Sequence, residues 1–455
     1  MEAHGKMLAA WAAELTWQDL PHVVREKALD HIVDTIGVMY SGIDVQACAG
    51  ARRAAAGWGD ASEATVLGTR SVFPAPTAAF LNALHGRIHT YDDTYEPGTL
   101  HAGSSVISAA LALAEKHAVD GKTLLAAVIG GYEVATRVAA SVSPSHYASG
   151  FHNTGTCSVF GAAAAASRVL KLDGTALAEA FGLAGATAGG LRQHQIDGSM
   201  LDSAFHGARA AQSGVMVAQL RAEGVRGPAA ILEGPMGFCE VMAPECDVAR
   251  LTAGLGTQYE FEKTTIKPYP TCRFVHGPTE AALTLKRTHR IDPAAIREVT
   301  IATFKQSIEV SSRPQLNTPF DAVVSHQYSA ALALVKEKVE LSAITAGAQG
   351  DAQVLALMRK VRVVHDAELE KDFPRSWPHR VTVDMDSGQR FSILSEYPPG
   401  RASPTPRATV DQKFLEQSVR YLGEDGARKA LELIRGIADA HDIRVVTAAL
   451  AAQGR

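Results

Sequence analysis

Apolar residues recur at helical spacing through the first half of the chain and again near its end, and this broken periodicity constrains the architecture most. Val24, Ala28, Ile32, Val33 and Ile36 mark one face of a helix that stops at Gly42. The same spacing predicts helices over 76–88, 104–118, 121–142, 157–171, 174–186 and 207–223, and amphipathic helix returns from Val410 to Leu450. Many of these segments are rich in Ala and Gly, as in Phe160 to Ala166, and small residues let helices approach closely.

Near Lys263 the texture changes. Pro268, Pro270 and Pro278 punctuate a loop, and a helical pattern covers 281–288. β-Rich runs follow at Val299–Phe304, Val361–Val364 and Val381–Met385, the last pairing with Phe391–Leu394 across Asp386-Ser387-Gly388. Helical pattern returns at 327–336 and 350–359, and a Pro/Gly/Arg stretch, Pro398 to Pro404, closes the region. A chain of 455 residues is too long for one compact core. The expected fold is therefore mainly α with an α+β part. An all-helical domain is built from residues 1–262 and 404–455, with an inserted α+β lid over 263–403.

Composition narrows the function. Hydrophobic content of 46% and charged content of 20% fit a globular protein, and a net charge of −4 carries no basic footprint for nucleic acid. Cys48, Cys157, Cys239, Cys246 and Cys272 are odd in number and never spaced Cys-x-x-Cys. That pattern suits a reducing compartment rather than a disulfide framework or zinc knuckle. The polar N-terminus reads as no signal peptide, and the apolar runs 104–114 and 124–130 are too short to cross a bilayer. A cytoplasmic protein is expected.

Four clusters can carry chemistry. The first is His85, His89, Tyr91, Asp92, Asp93, Thr94 and His101 on a turn-rich stretch, where acids and imidazoles together suit proton transfer. An acidic loop capping the next helix fits the same residues. No His-x-x-x-His or Glu-x-x-His pair shares a helical face, so no metal is expected. The second cluster is Gly150-Phe151-His152-Asn153-Thr154, with His152 before a helix start that favours its neutral form. A packed His152 in a capping loop is the alternative.

The third cluster is Lys267-Pro-Tyr-Pro-Thr-Cys-Arg273-Phe-Val-His276, where Arg273 and His276 suit a clamp on a substrate carboxylate or, equally, an interdomain salt bridge. In the fourth, Ser325-His326-Gln327-Tyr328, the Tyr328 hydroxyl is either a proton donor or a core group. The glycine-rich stretch Gly182 to Gly190 lacks the dinucleotide spacing and follows no strand, and Cys157 and Cys272 have no defined base partner.

In this order and spacing the clusters resemble the MmgE/PrpD family, which holds dehydratases, decarboxylases and epimerases of small carboxylic acids. The segments that carry the resemblance are Tyr91 to His101, Gly150-Phe-His152, His206 to Gly214, Lys267 to His276 and His326-Gln-Tyr328, and it covers nearly the whole chain. It implies a helical domain with a lid, a homodimer, no cofactor and a site in the interdomain cleft. It also places Thr94, His101, His152 and Tyr328 at family active-site positions, and these with Asp93 are the expected catalytic set. Arg273 and His276 match the family's lid loop and, with Thr90 and Lys267, are expected to bind substrate.

Two positions depart from the family pattern. Thr90 stands where members commonly carry Asp, and Asp202 or Ser203 where they carry Lys. The expected activity is a cofactor-independent lyase that abstracts a proton next to a carboxylate, a dehydratase first of all. An epimerase or isomerase, a decarboxylase, and a non-catalytic binding protein on the same fold are the alternatives.

Overall fold

In the computed structural model, residues 3–401 and 404–452 are described, apart from the side chain of Asp202. The fold is mainly helical with a smaller α+β part. The expected lid boundary at 403/404 falls partly on a residue outside the described ones.

Several helices start where the sequence supplies an oxygen to satisfy their first N–H groups. Asp120 accepts from Thr123 N at 2.9 Å to open the helix Gly121–Val142, and Asp173 accepts from Ala176 N at 2.8 Å to open Gly174–Gly185. The small residues decide how closely helices cross. A Cβ on Gly161 would lie 2.5 Å from the Gly131 carbonyl, so the helices Gly121–Val142 and Ser158–Val169 meet backbone to backbone. Gly121–Val142 is long and apolar enough to span a membrane, a property the shorter run 124–130 concealed. Every residue of its most apolar window is buried inside the protein, as in a core helix.

One hydrophobic core joins the N-terminal helices to the C-terminal one. Val24, Ile32 and Ile36 on His22–Ser41 share it with Val410, Phe414 and Leu422 on Arg407–Arg435. The two helices are also tied by charge. Lys413 Nζ lies 2.6 Å from Asp34 Oδ1 and donates to the carbonyls of Tyr91 (3.1 Å) and Lys267 (3.0 Å).

A second core fills the α+β part. Its sheet runs Val361–His365, Ile296–Thr303, His379–Met385, Arg390–Ser395, with the first pair parallel and the others antiparallel. Ile296, Val299, Ile301, Val381 and Val383 pack there with Leu283, Leu285, Ala331 and Leu334 from the helices His276–His289 and His326–Lys336. Pro278 lies in the first turn of His276–His289, which therefore starts five residues before the expected 281, because proline is tolerated where the first N–H groups have no helical partner.

A two-residue antiparallel pairing stitches the parts together. Thr94 opposes Thr265, and Tyr95 opposes Thr264. That brings the 88–102 loop, between the helices Ala75–Arg87 and Gly103–His117, under the 267–276 loop.

Candidate active site

A cavity opens between the two cores. The helical part contributes Arg87, Thr90, Thr94, Thr99, His101, Tyr147, His152, His194, Gln195 and Ser203. The α+β part contributes Cys272, Arg273 and a largely apolar wall that includes Phe320 and Trp377.

The 88–102 loop supplies much of the floor. Thr90 has φ of 55°, a left-handed conformation that a β-branched residue adopts only under constraint. The constraint is visible: its carbonyl accepts from Lys267 Nζ at 2.7 Å. His101 is oriented by Asp93, whose carbonyl lies 2.7 Å from the ring Nδ1. A carbonyl only accepts, so Nδ1 carries the proton and Nε2 is a lone pair. Burial, with Arg87 and Lys267 nearby, holds the imidazole well below its usual pKa, so it is neutral.

His152 reaches the cavity from a segment paired with 190–192. Its N–H donates to the Gly190 carbonyl at 3.1 Å, and Arg192 N donates back to the Gly150 carbonyl at 2.8 Å. Burial, then His194 and His206, push its pKa well down. The rings of His152, His194 and His206 stand 5.0 to 5.5 Å apart, and His152 Nδ1 lies 2.9 Å from His206 Nδ1. Among the described residues, no group of three or more His, Cys, Asp or Glu is placed to hold a metal ion.

Arg87 and Arg273 bring the cationic groups. Arg87 donates to Asp92 Oδ1 at 2.7 Å and to Ser203 Oγ at 3.2 Å. Ser203 is one of the two positions at which a family lysine was expected, so an arginine from another helix reaches that spot. Arg273 donates to Glu96 Oε1 (2.7 Å), the Pro399 carbonyl (2.7 Å) and His276 Nδ1 (3.2 Å).

Of the residues singled out in the sequence, Thr90, Thr94, His101, His152 and Arg273 line the cavity. The other four do not, each for a structural reason. The Asp93 carboxylate turns inward to His31 Nδ1 (2.8 Å), Tyr132 OH (2.6 Å) and Gly103 N (3.1 Å), so Asp93 serves the site through its carbonyl. Burial pushes that carboxyl up, but His31 and Tyr132 outweigh it and hold the acid below its usual range. Tyr328 packs in the second core and donates to the Ala343 carbonyl at 2.9 Å. His276 lies behind Arg273, accepting from its Nη1 at 3.2 Å with its own Nε2 3.3 Å from the Thr271 carbonyl. The Lys267 ammonium sits behind Thr90, and burial lowers its pKa to about 7.

Sequence reasoning missed Arg87, Tyr147, His194 and Gln195. Arg87 had a usable signal, an arginine ending a helix of mostly small and apolar side chains. His194 had none, since nothing in Gln193-His194-Gln195 separates it from a surface loop.

Two family models match the chain. The MmgE/PrpD N-terminal domain matches residues 6–250, and the MmgE/PrpD C-terminal domain matches 269–439. The chain belongs to the MmgE/PrpD family. Among similar proteins, the cis-aconitate decarboxylase of Aspergillus terreus is 26% identical, covering 95% of this chain and 93% of its own length. Those of Homo sapiens and Mus musculus are 23% and 24% identical, over 92% and 91% of this chain and 88% and 87% of their own. The C-terminal match runs through the whole of Arg407–Arg435, so this MmgE/PrpD chain divides differently by family model than by hydrophobic core.

Proposed function

We propose that this MmgE/PrpD protein is a cofactor-independent lyase that releases carbon dioxide from a small polycarboxylic acid, as the cis-aconitate decarboxylases do. The observation that carries the reading is one cavity holding two buried arginines beside two imidazoles kept neutral. The decarboxylase activity of the relatives favours decarboxylation over the dehydration that the sequence suggested first.

The chemistry needs two things of the protein. Breaking the C–C bond leaves its electron pair on carbon, next to a remaining carboxylate. Arg87 and the N–H groups of Arg273 stabilise that charge in a cavity where water screens little, a contribution of about 3 kcal/mol per well-placed donor. A proton must then reach the carbon, and an imidazole N–H supplies it. Thr90 and Ser203 leave the pocket with fewer charged side chains than the family pattern. A homodimer and a cytoplasmic location, with all five cysteines unpaired, belong to the same reading.

Incubation with cis-aconitate in D₂O tests it. Carbon dioxide release with one deuterium in the product is the expected result. Addition of water across the double bond, or deuterium exchange with no carbon dioxide, overturns it in favour of a dehydratase running in reverse or an epimerase. His101→Ala and His152→Ala should each lower kcat by about two to four orders of magnitude.

A further inference from the structure

We propose that His206 is the positioning residue for His152, holding it as the Nε2–H tautomer and resupplying the proton it gives up. The inference rests on the decarboxylase reading for the direction of proton flow, but the hydrogen bond itself does not depend on it.

Two imidazole nitrogens 2.9 Å apart hold one proton between them, because two facing lone pairs repel and so do two facing N–H groups. The Nδ1–Nδ1 contact therefore couples the rings. When His206 donates, His152 must carry its own proton on Nε2, the nitrogen left for the cavity. His101 cannot fill that donor role, since the Asp93 carbonyl fixes it as the ring with a bare Nε2. The site then has one imidazole of each kind.

The backbone is built to seat this pair. A Cβ on Gly155 would lie 3.1 Å from His206 Cβ and 2.3 Å from the Gly189 carbonyl, and one on Gly190 would lie 3.3 Å from the His206 ring. The glycine-rich stretch ending at Gly190, which lacks the dinucleotide spacing, thereby acquires a purpose. His206 is only half-buried on the helix Met200–Ala222, whereas His152 is 4% exposed. The pair thus runs from the cavity toward the surface.

Each turnover takes up one proton. His152 Nε2–H protonates the carbon as His152 Nδ1 takes the shared proton from His206, which is reprotonated in turn. Once product leaves, water protonates His152 Nε2, the shared proton returns to His206 Nδ1, and His206 gives its extra proton back to solvent, which restores the starting tautomers. The charged and titratable groups facing His152 are His194 from 193–197, His206 from 200–222, Arg87 from the end of 75–87, Arg192 and, across the cavity, His101.

Histidine-¹⁵N NMR of the substrate-free wild-type protein tests the assignment directly. Expected are one proton shared by the two Nδ1 atoms and a protonated His152 Nε2. A bare His152 Nε2, or no shared proton, overturns it. In kinetics, His206→Phe should lower kcat about 100-fold with KM within about threefold. His206→Asn, whose amide still donates toward His152, should recover part of that loss. Equal rates for the two variants, or a loss confined to KM, would count against the role. Absence of carbon dioxide release by wild type sinks the decarboxylase reading alone, and the NMR result still decides this one.

Discussion

Arg273 Nε lies 2.7 Å from Glu96 Oε1, and both side chains are buried where the two cores meet. The same carboxylate oxygen accepts from Thr265 Oγ1 at 2.8 Å, beside the short pairing of Thr94–Tyr95 with Thr264–Thr265. Glu96 begins the turn that leads to His101, so a residue of the α+β part and one of the floor loop share one anchor.

Glu96→Gln leaves the Arg273 guanidinium buried without its counter-charge. Breaking one partner of such a pair costs about 3 to 5 kcal/mol. The urea midpoint should fall accordingly, and KM should rise as Arg273 loses its seat. A midpoint equal to wild type would show that the pair contributes little here.

Arg87 forks between Asp92 and Ser203, which a lysine with one ammonium cannot reproduce. Arg87→Lys should keep the buried Asp92 paired and the fold stable while withdrawing charge from the Ser203 side. A rise in KM for a polycarboxylate of about tenfold, equivalent to about 1.4 kcal/mol of binding, is expected from steady-state kinetics. An unchanged KM would remove Arg87 from the binding role.

Lys267 has a folded-state pKa of about 7, against about 10.4 for an unfolded lysine. Below pH 7 both states hold the proton, and the folded state carries a buried ammonium. From pH 7 upward the unfolded state binds more protons, so stability rises with pH. Relative to Lys267→Met, wild type should therefore gain about 3 kcal/mol between pH 6.5 and 9.5. Parallel denaturation curves at the two pH values check this, and a constant difference would mean an ordinary lysine.

Tyr328 donates to a backbone carbonyl in the second core and does not line the cavity. Tyr328→Phe should cost about 1 kcal/mol of stability and leave kcat within about threefold. A fall of a hundredfold at full stability would return Tyr328 to the catalytic set that the family resemblance implies.

Helical spacing showed most of the fold, because 3.6-residue periodicity reports a buried face directly. It began the helix Met200–Ala222 seven residues late, since Leu201 and Phe205 expose apolar side chains and blur the pattern. In the site, motif order pointed to His101, His152 and Arg273, residues that the loops deliver to one cavity. It did not separate Asp93, whose carbonyl orients His101, from an acid that faces substrate. Which atom of a residue points inward depends on backbone direction at Thr90 and on partners such as His31 and Tyr132. Neither is encoded in spacing.

The bond from Lys413 to the carbonyls of Tyr91 and Lys267 has a consequence for biosynthesis. Both loops wait for a side chain that leaves the ribosome only after residue 413 has been added. Until then Asp34 lies in the forming helical core with no cation beside it. A nascent or truncated chain can gather its helices early, but activity should switch on only once residue 413 has joined the fold.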